Sequence, residues 1–569
     1  SVLPASLMVD EALATALARL MATYALAQDG GAAWASAAHQ HLPDLARISA
    51  GLNQAMNDAS LSSLSLQNAL KTGIDRLITD LESSAADALT PSSLHVVVDR
   101  SGAWVDQNLD GRIDARDKIN GALVVADFGA GKNADPATHQ LRISQRVLPS
   151  QSQAQALASL DSDDQASFVF DTGIEGARLD LKWAAADANA VLKRQDISLN
   201  ARGAGSGASL SIGKLPAIST SQGITANLGA LYLLAAGDAN GFVFSNAEMT
   251  IGLGGVSSTG APIAGTINGL IRTHAAGQHA NASLTAISVN GLQVKDVSAV
   301  ATGGQSKAGM LLQASGNGPF SANYVNASSY AERSTTDVRL MSADGNLLIG
   351  GPLSALASGD GSSASINISS REGAITLSSG SGTAVTYGDI SVIASGSMSS
   401  LSGTEARTSA SVSLSSATGS IRVGALNLLA SGTNSLATLA ADAPRGTLSV
   451  NGPTVVETDA AGATASLNLS AYAPNASEVA MTIGAPMVLK TSALASGATT
   501  SVSLNTTSGS ALVLGAVAQT SIASHSSTEL TINANGNIAI THPLSLAASG
   551  ALSSACLLYT SPSPRDATL

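Results

Sequence analysis

The chain has 569 residues, of which 44% are apolar but only 12% charged and 3% aromatic, and it carries a formal net charge of −12. That acidity argues against nucleic acid or anionic membrane as a partner. One cysteine in the whole chain excludes a disulfide framework and a Cys-based metal site. No stretch approaches the ~18 uninterrupted apolar residues of a membrane-spanning helix.

Residues 1–92 read as an α-helical segment. Leu13, Leu17, Leu20 and Tyr24 fall on one face of a run that starts at Asp10, and a second candidate covers about 32–55, interrupted near Pro43. The third is the clearest: Leu66, Leu70, Ile74, Leu77 and Leu81 recur at spacings of four and three, an apolar stripe at the helical period. Thr90-Pro91 then breaks the helix, because the residue before proline is pushed to extended backbone.

Residues 93–200 form a mixed, charge-rich module. The runs 96–98, 123–125 and 167–170 are predicted strands. Between the first two lies D-Q-N-L-D-G-R-I-D-A-R-D, Asp106 to Asp117. Oxygen-bearing side chains occupy loop positions 1, 3, 5, 9 and 12: Asp106, Asn108, Asp110, Asp114 and Asp117. Gly111 stands at position 6, where the chain must turn sharply, and Arg112 at position 7 can offer its carbonyl. A hard cation such as Ca²⁺ takes about six to eight oxygens in a flexible shell, which alternate side chains plus that carbonyl can supply. The twelve residues resemble the calcium loop of EF-hand and dockerin-type proteins. The resemblance implies calcium as the cofactor. Asp117 replaces the usual longer Glu at position 12, and the preceding flank reads as a strand rather than an entering helix. The plainer alternative is a solvated Asp/Asn/Gly turn. Asp161, Asp163 and Asp164 form an acidic patch that reads as a second cation site or, again, a solvated turn.

From 201 to 555 the chain repeats itself. G-A-L-Y-L-L-A-A-G at Gly229–Gly237 returns as G-A-L-N-L-L-A-S-G at Gly424–Gly432, and P-L-S-A-L-A-S-G at Pro352–Gly359 resembles P-L-S-L-A-A-S-G at Pro543–Gly550. A Gly-x-apolar-x-apolar unit recurs at Gly345, Gly419, Gly446 and Gly536. Gly388, Gly419 and Gly446 are spaced by 31 and 27 residues, which points to a mean period near 30. Within each unit the apolar residues alternate, as in Val412/Leu414 and Ile421/Val423, and period two means a strand with one face buried. Such short strands cannot bury their inner faces alone. Stacking coil on coil does so, which predicts a mainly β chain built as a β-solenoid of the parallel β-helix type. The alternative is a row of tandem β-sandwich domains. Sandwiches usually anchor on buried aromatics, and no Trp lies beyond residue 183. The tract resembles the repeats of filamentous-haemagglutinin-like bacterial surface adhesins. That resemblance implies an exported, structural or adhesive protein at the bacterial cell surface, with glycans or proteins of host or neighbouring cells as partners.

Residues 556–569 resemble a translated sequencing adapter and are set aside as a non-native tail, and Cys556 goes with them. The chain starts at Ser1 without Met, so both natural termini are expected beyond it.

Catalytic motifs are weak. Asp171-Thr172-Gly173 lacks the second copy that an aspartic-protease dyad needs. Gly129-Ala130-Gly131-Lys132 lacks the Ser/Thr of a phosphate loop, and His39 and His41 have no obvious third ligand. A polysaccharide lyase or hydrolase on a β-helix would need carboxylates gathered on one face. Asp360, Asp389, Glu405 and Asp442 do not recur at the repeat period. The expectation is therefore a structural or adhesive repeat protein with a calcium loop and no catalysis. The alternatives are a carbohydrate-active β-helix enzyme and a calcium-dependent assembly module.

Overall fold

The computed structural model describes residues 205–213, 227–236, 244–256, 262–379, 386–396, 407–473, 479–507, 511–536 and 538–560, together with seven strands between Leu94 and Ala201. The helices expected over 1–92 lie outside these residues. Among the described residues every regular element is a strand, and nearly all of them belong to one compact unit, residues 95–107, 113–161 and 168–569.

One coil shows how the repeat is built. Thr335–Ser342 is an eight-residue strand, Leu347–Ile349 a three-residue strand and Leu353–Ala357 a five-residue strand. Each pairs in parallel with its counterpart in the next coil: Thr335 opposite Ser363, Leu347 opposite Ile375, Leu353 opposite Ile390. Three strand columns therefore run through the stack, as a β-solenoid requires. The eight-residue column, hereafter the long sheet, forms a 13-stranded sheet that contains Arg178–Trp183 and Ser554–Thr560. Parallel pairing between successive coils rules out the β-sandwich alternative, whose sheets are antiparallel.

The strands form because their side chains alternate. In the long sheet the burial pattern of Ser409–Ser416 is strictly alternating, with Ala410, Val412 and Leu414 inside and the serines between them outside. Stacking repeats this at each level. Leu210, Met249, Leu284, Met310, Val338, Ile366, Val412, Leu439, Leu467, Val502 and Leu530 fall into one register line. None of them is more than 3% exposed. Each such side chain contributes roughly 1.5–3 kcal/mol on burial, so the line is a principal source of stability.

The corner before each long strand has its own rule. His279, Gln305, Arg333, Gly361, Asn434, Gly462, Gly497 and His525 adopt positive φ between 53° and 69°, each two residues ahead of a long strand. The amide of this residue donates to the next coil: Gln305 N to Glu332 O at 2.8 Å, Arg333 N to Asp360 O at 2.9 Å. A buried serine usually follows and closes the turn, as where Ser334 Oγ donates to Ala331 O at 2.7 Å. At another corner glycine is demanded by contact rather than by φ. A Cβ on Gly446 would lie 2.0 Å from Gly419 O, and one on Gly345 2.1 Å from Gly318 O.

Three differences from the sequence-based expectations have physical reasons. First, the stack begins before residue 201. Arg178–Trp183 already pairs in parallel with Gly207–Ile212, and Asp196–Ala201 with Leu231–Ala235, so composition shifts later than structure does. Second, Gly388 precedes a five-residue strand, whereas Gly419 and Gly446 precede three-residue strands. The 31-residue step thus joins two different faces, and the like-for-like step is the 46 residues from Gly373 to Gly419. The coil length itself varies, from 26 residues (Asn281 to Lys307) to 46 (Ser363 to Ser409). Extra residues fall between strands, as in the small hairpin of Gly255–Val256 and Pro262–Ile263. Third, some of the C-terminal tail read as non-native continues the long sheet, with Cys556 opposite Glu529. A sheet edge accepts any extended segment through its free backbone groups, and Leu558 and Tyr559 remain exposed there.

Ahead of the solenoid, Leu94–Asp99 pairs antiparallel with Gly102–Asp106, which is joined through Trp104 and Val125 to Val124–Asp127. Arg142–Gln145 extends this meander, also antiparallel.

Candidate functional site

The segment Asp106 to Asp117, expected from the sequence to bind calcium, begins within that meander. Asp106 is the last residue of its strand and stands opposite His95. Residues 107–123 lie in sequence between two neighbouring antiparallel strands, Gly102–Asp106 and Val124–Asp127. Valine-rich Leu94–Asp99, an extended flank and not a helix, follows the local sequence. Asn108, Asp110, Arg112, Asp114 and Asp117 lie outside the described residues, as do Asp161, Asp163 and Asp164. Among the described residues no three His, Cys, Asp or Glu side chains gather as a metal site.

The most regular surface is the outer side of the long sheet. Ser363, Ser365, Asn367 and Ser369 stand opposite Ser409, Ser411, Ser413 and Ser415. Further along, Thr464, Ser466, Asn468 and Ser470 stand opposite Thr499, Ser501, Ser503 and Asn505. Strand geometry places these groups about 4.8 Å apart between coils and roughly 6.7 Å apart along each strand. They also bond along the stack. Ser409 Oγ donates to Ser363 Oγ at 3.1 Å, and Ser501 Oγ to Ser466 Oγ at 3.1 Å. Asn505 Nδ2 donates to Asn468 Oδ1 at 3.3 Å, and Asn533 Nδ2 to Asn505 Oδ1 at 2.9 Å. Between Ser363 and Asn533 the outward charges of this sheet are Asp442 and Glu529. The chemistry on offer is a lattice of short, neutral donors and acceptors.

Of the carboxylates weighed in the sequence, the described ones, Asp360, Asp389 and Asp442, are not brought together. Asp360 sits in a corner turn, and Asp389 precedes a five-residue strand, where its Oδ1 accepts from Ala425 N at 2.8 Å. Asp442 points outward from the long sheet, and Glu405 lies outside the described residues.

Sequence reasoning missed two features on the outer side of the strand column that contains Leu353–Ala357. One is an ion pair. Leu356, Ile393 and Leu429 form a buried outer cluster with Tyr330 packed against it. The next two residues in the same line are Glu457 and Lys490. Lys490 Nζ lies 3.2 Å from Glu457 Oε1, with side chains 17% and 6% exposed. Burial pushes the Glu457 carboxyl above its ordinary range; Lys490 opposes that push and Asp459 adds a little to it. The signal was present. Aligned with P-L-S-A-L-A at Pro352, the segment P-T-V-V-E-T at Pro453 puts Glu457 where Leu356 stands.

The other feature lies in the earlier coils, where Tyr232, Arg272, Ser298 and Asn326 share one register line. His274 Nε2 is 3.0 Å from Thr302 Oγ1, and Ser328 Oγ donates to Asn326 Oδ1 at 2.9 Å. Asp296, half-buried beside this line, has its carboxyl pushed up by burial and held back by Lys295. Successive members of the line Tyr232, Arg272, Ser298 and Asn326 lie 26 to 40 apart in sequence, and nothing local announces that they meet.

Comparison with protein-family models, with curated proteins and with solved structures finds no match.

Proposed function

We propose that this chain belongs to a structural or adhesive protein of the bacterial cell surface. Its solenoid would present the long sheet to glycans or proteins of host or neighbouring cells, without turnover. The observation that carries this reading is the lattice, rich in Ser, Thr and Asn and broken by Leu436, Ala440, Asp442 and Glu529, that the stacked coils hold in register from Ser363 to Asn533. Short side chains on a paired sheet lose little freedom when they bind, so a large area with many weak hydrogen bonds can hold a partner. Ca²⁺ bound by Asp106, Asn108, Asp110, the Arg112 carbonyl, Asp114 and Asp117 would offset the repulsion among four carboxylates in one loop. It would thereby order the connection ahead of the solenoid. Even the weak affinity of extracellular modules, about 10⁻⁴ to 10⁻³ M, suffices in calcium-containing surroundings.

The test is retention of cells, and of arrayed cell-surface glycans and proteins, on the immobilised chain. Ser413→Lys with Asn468→Lys places two long cations in the lattice without touching the core. Binding should fall at least tenfold, while circular dichroism stays unchanged. Equal binding by the variant would remove the long sheet from the proposal.

A further inference from the structure

We draw no further inference here: the strongest candidate, the cluster of Tyr232, Arg272, His274, Asp296 and Asn326 on the strands that precede Leu353–Ala357 in its column, is largely buried at Arg272 and Asn326 and nothing in the structure shows what covers it.

Discussion

Lys490→Met tests whether the ion pair on the five-residue strands is a necessity of the stack or a replaceable element of it. Removing the cation leaves the Glu457 carboxylate 6% exposed, between Leu429 on one side and the new methionine on the other. Breaking a buried pair by taking one partner typically costs about 3–5 kcal/mol, since the remaining charge stays desolvated. A solenoid opens piecewise rather than as one cooperative unit, so the proper readout is hydrogen exchange of Thr454–Thr458 and Met487–Thr491. A local loss of about 3 kcal/mol speeds exchange there by roughly a hundredfold. The pH dependence has a definite sign. Burial raises the Glu457 pKa on folding, so the neutral form is the one the folded chain favours. That contribution is complete below the ordinary glutamate pKa and is lost as pH rises through the raised value. The Lys490→Met defect should therefore be large at pH 7 and shrink on acidification towards pH 4. Adding Glu457→Leu, which copies the Leu356 and Leu429 positions of the same line, should restore protection at every pH. Exchange in Lys490→Met that matches the parent, or a defect that grows in acid, would refute the reasoning.

Three further perturbations probe other regions of the molecule. Gly446→Ala drives a methyl to 2.0 Å from Gly419 O and must force neighbouring coils apart, whereas Gly484 has open space around its Cβ position. The first should cost about 1–3 kcal/mol and lower the thermal midpoint; Gly484→Ala should change it little, and similar effects would discredit the corner contact. His525→Gly relieves a side chain held at φ 56°. Left-handed strain of about 1–2 kcal/mol, less the roughly 0.5–1 kcal/mol that glycine costs in chain entropy, predicts a net gain near 0.5 kcal/mol in chemical denaturation; a clear loss would contradict it. Tb³⁺ added to the full chain should luminesce through Trp104, two residues before Asp106, and Asp110→Ala should abolish the signal that Ca²⁺ competes away. Undiminished emission from that variant would sink the calcium loop.

Alternation was legible in the sequence because it is a local property. Val412 and Leu414 point the same way wherever the strand lies, so the β class and the stacked architecture follow from period two and from the near-repetition of short units. Membership of a face is not local. Gly388 and Gly419 look alike in the sequence, yet they precede different columns, because their separation counts loop residues as well as strand residues. The Ser/Thr/Asn lattice was hidden for the same reason. Ser363 and Ser409 become neighbours across 46 residues, whereas Ser527 and Ser554 do so across 27, and no fixed period brings out both pairs.

What keeps register constant while coil length varies is the core. Slipping one residue between Ser363–Ser370 and Ser409–Ser416 would turn Val412 and Leu414 outward and bury Ser411 and Ser413. The loss of two buried aliphatic side chains is about 3–6 kcal/mol. Lengthening the intervening loop costs far less, about 0.6 kcal/mol per doubling. Insertions therefore collect between strands while the strands stay aligned. The inner positions answer to this constraint and can be read from their pattern. The outer ones, from Asn367 and Asn468 to the Glu457–Lys490 pair, lie outside the core, which leaves their identity free to vary. The chemistry of this surface must be read from those residues once stacking has brought them together.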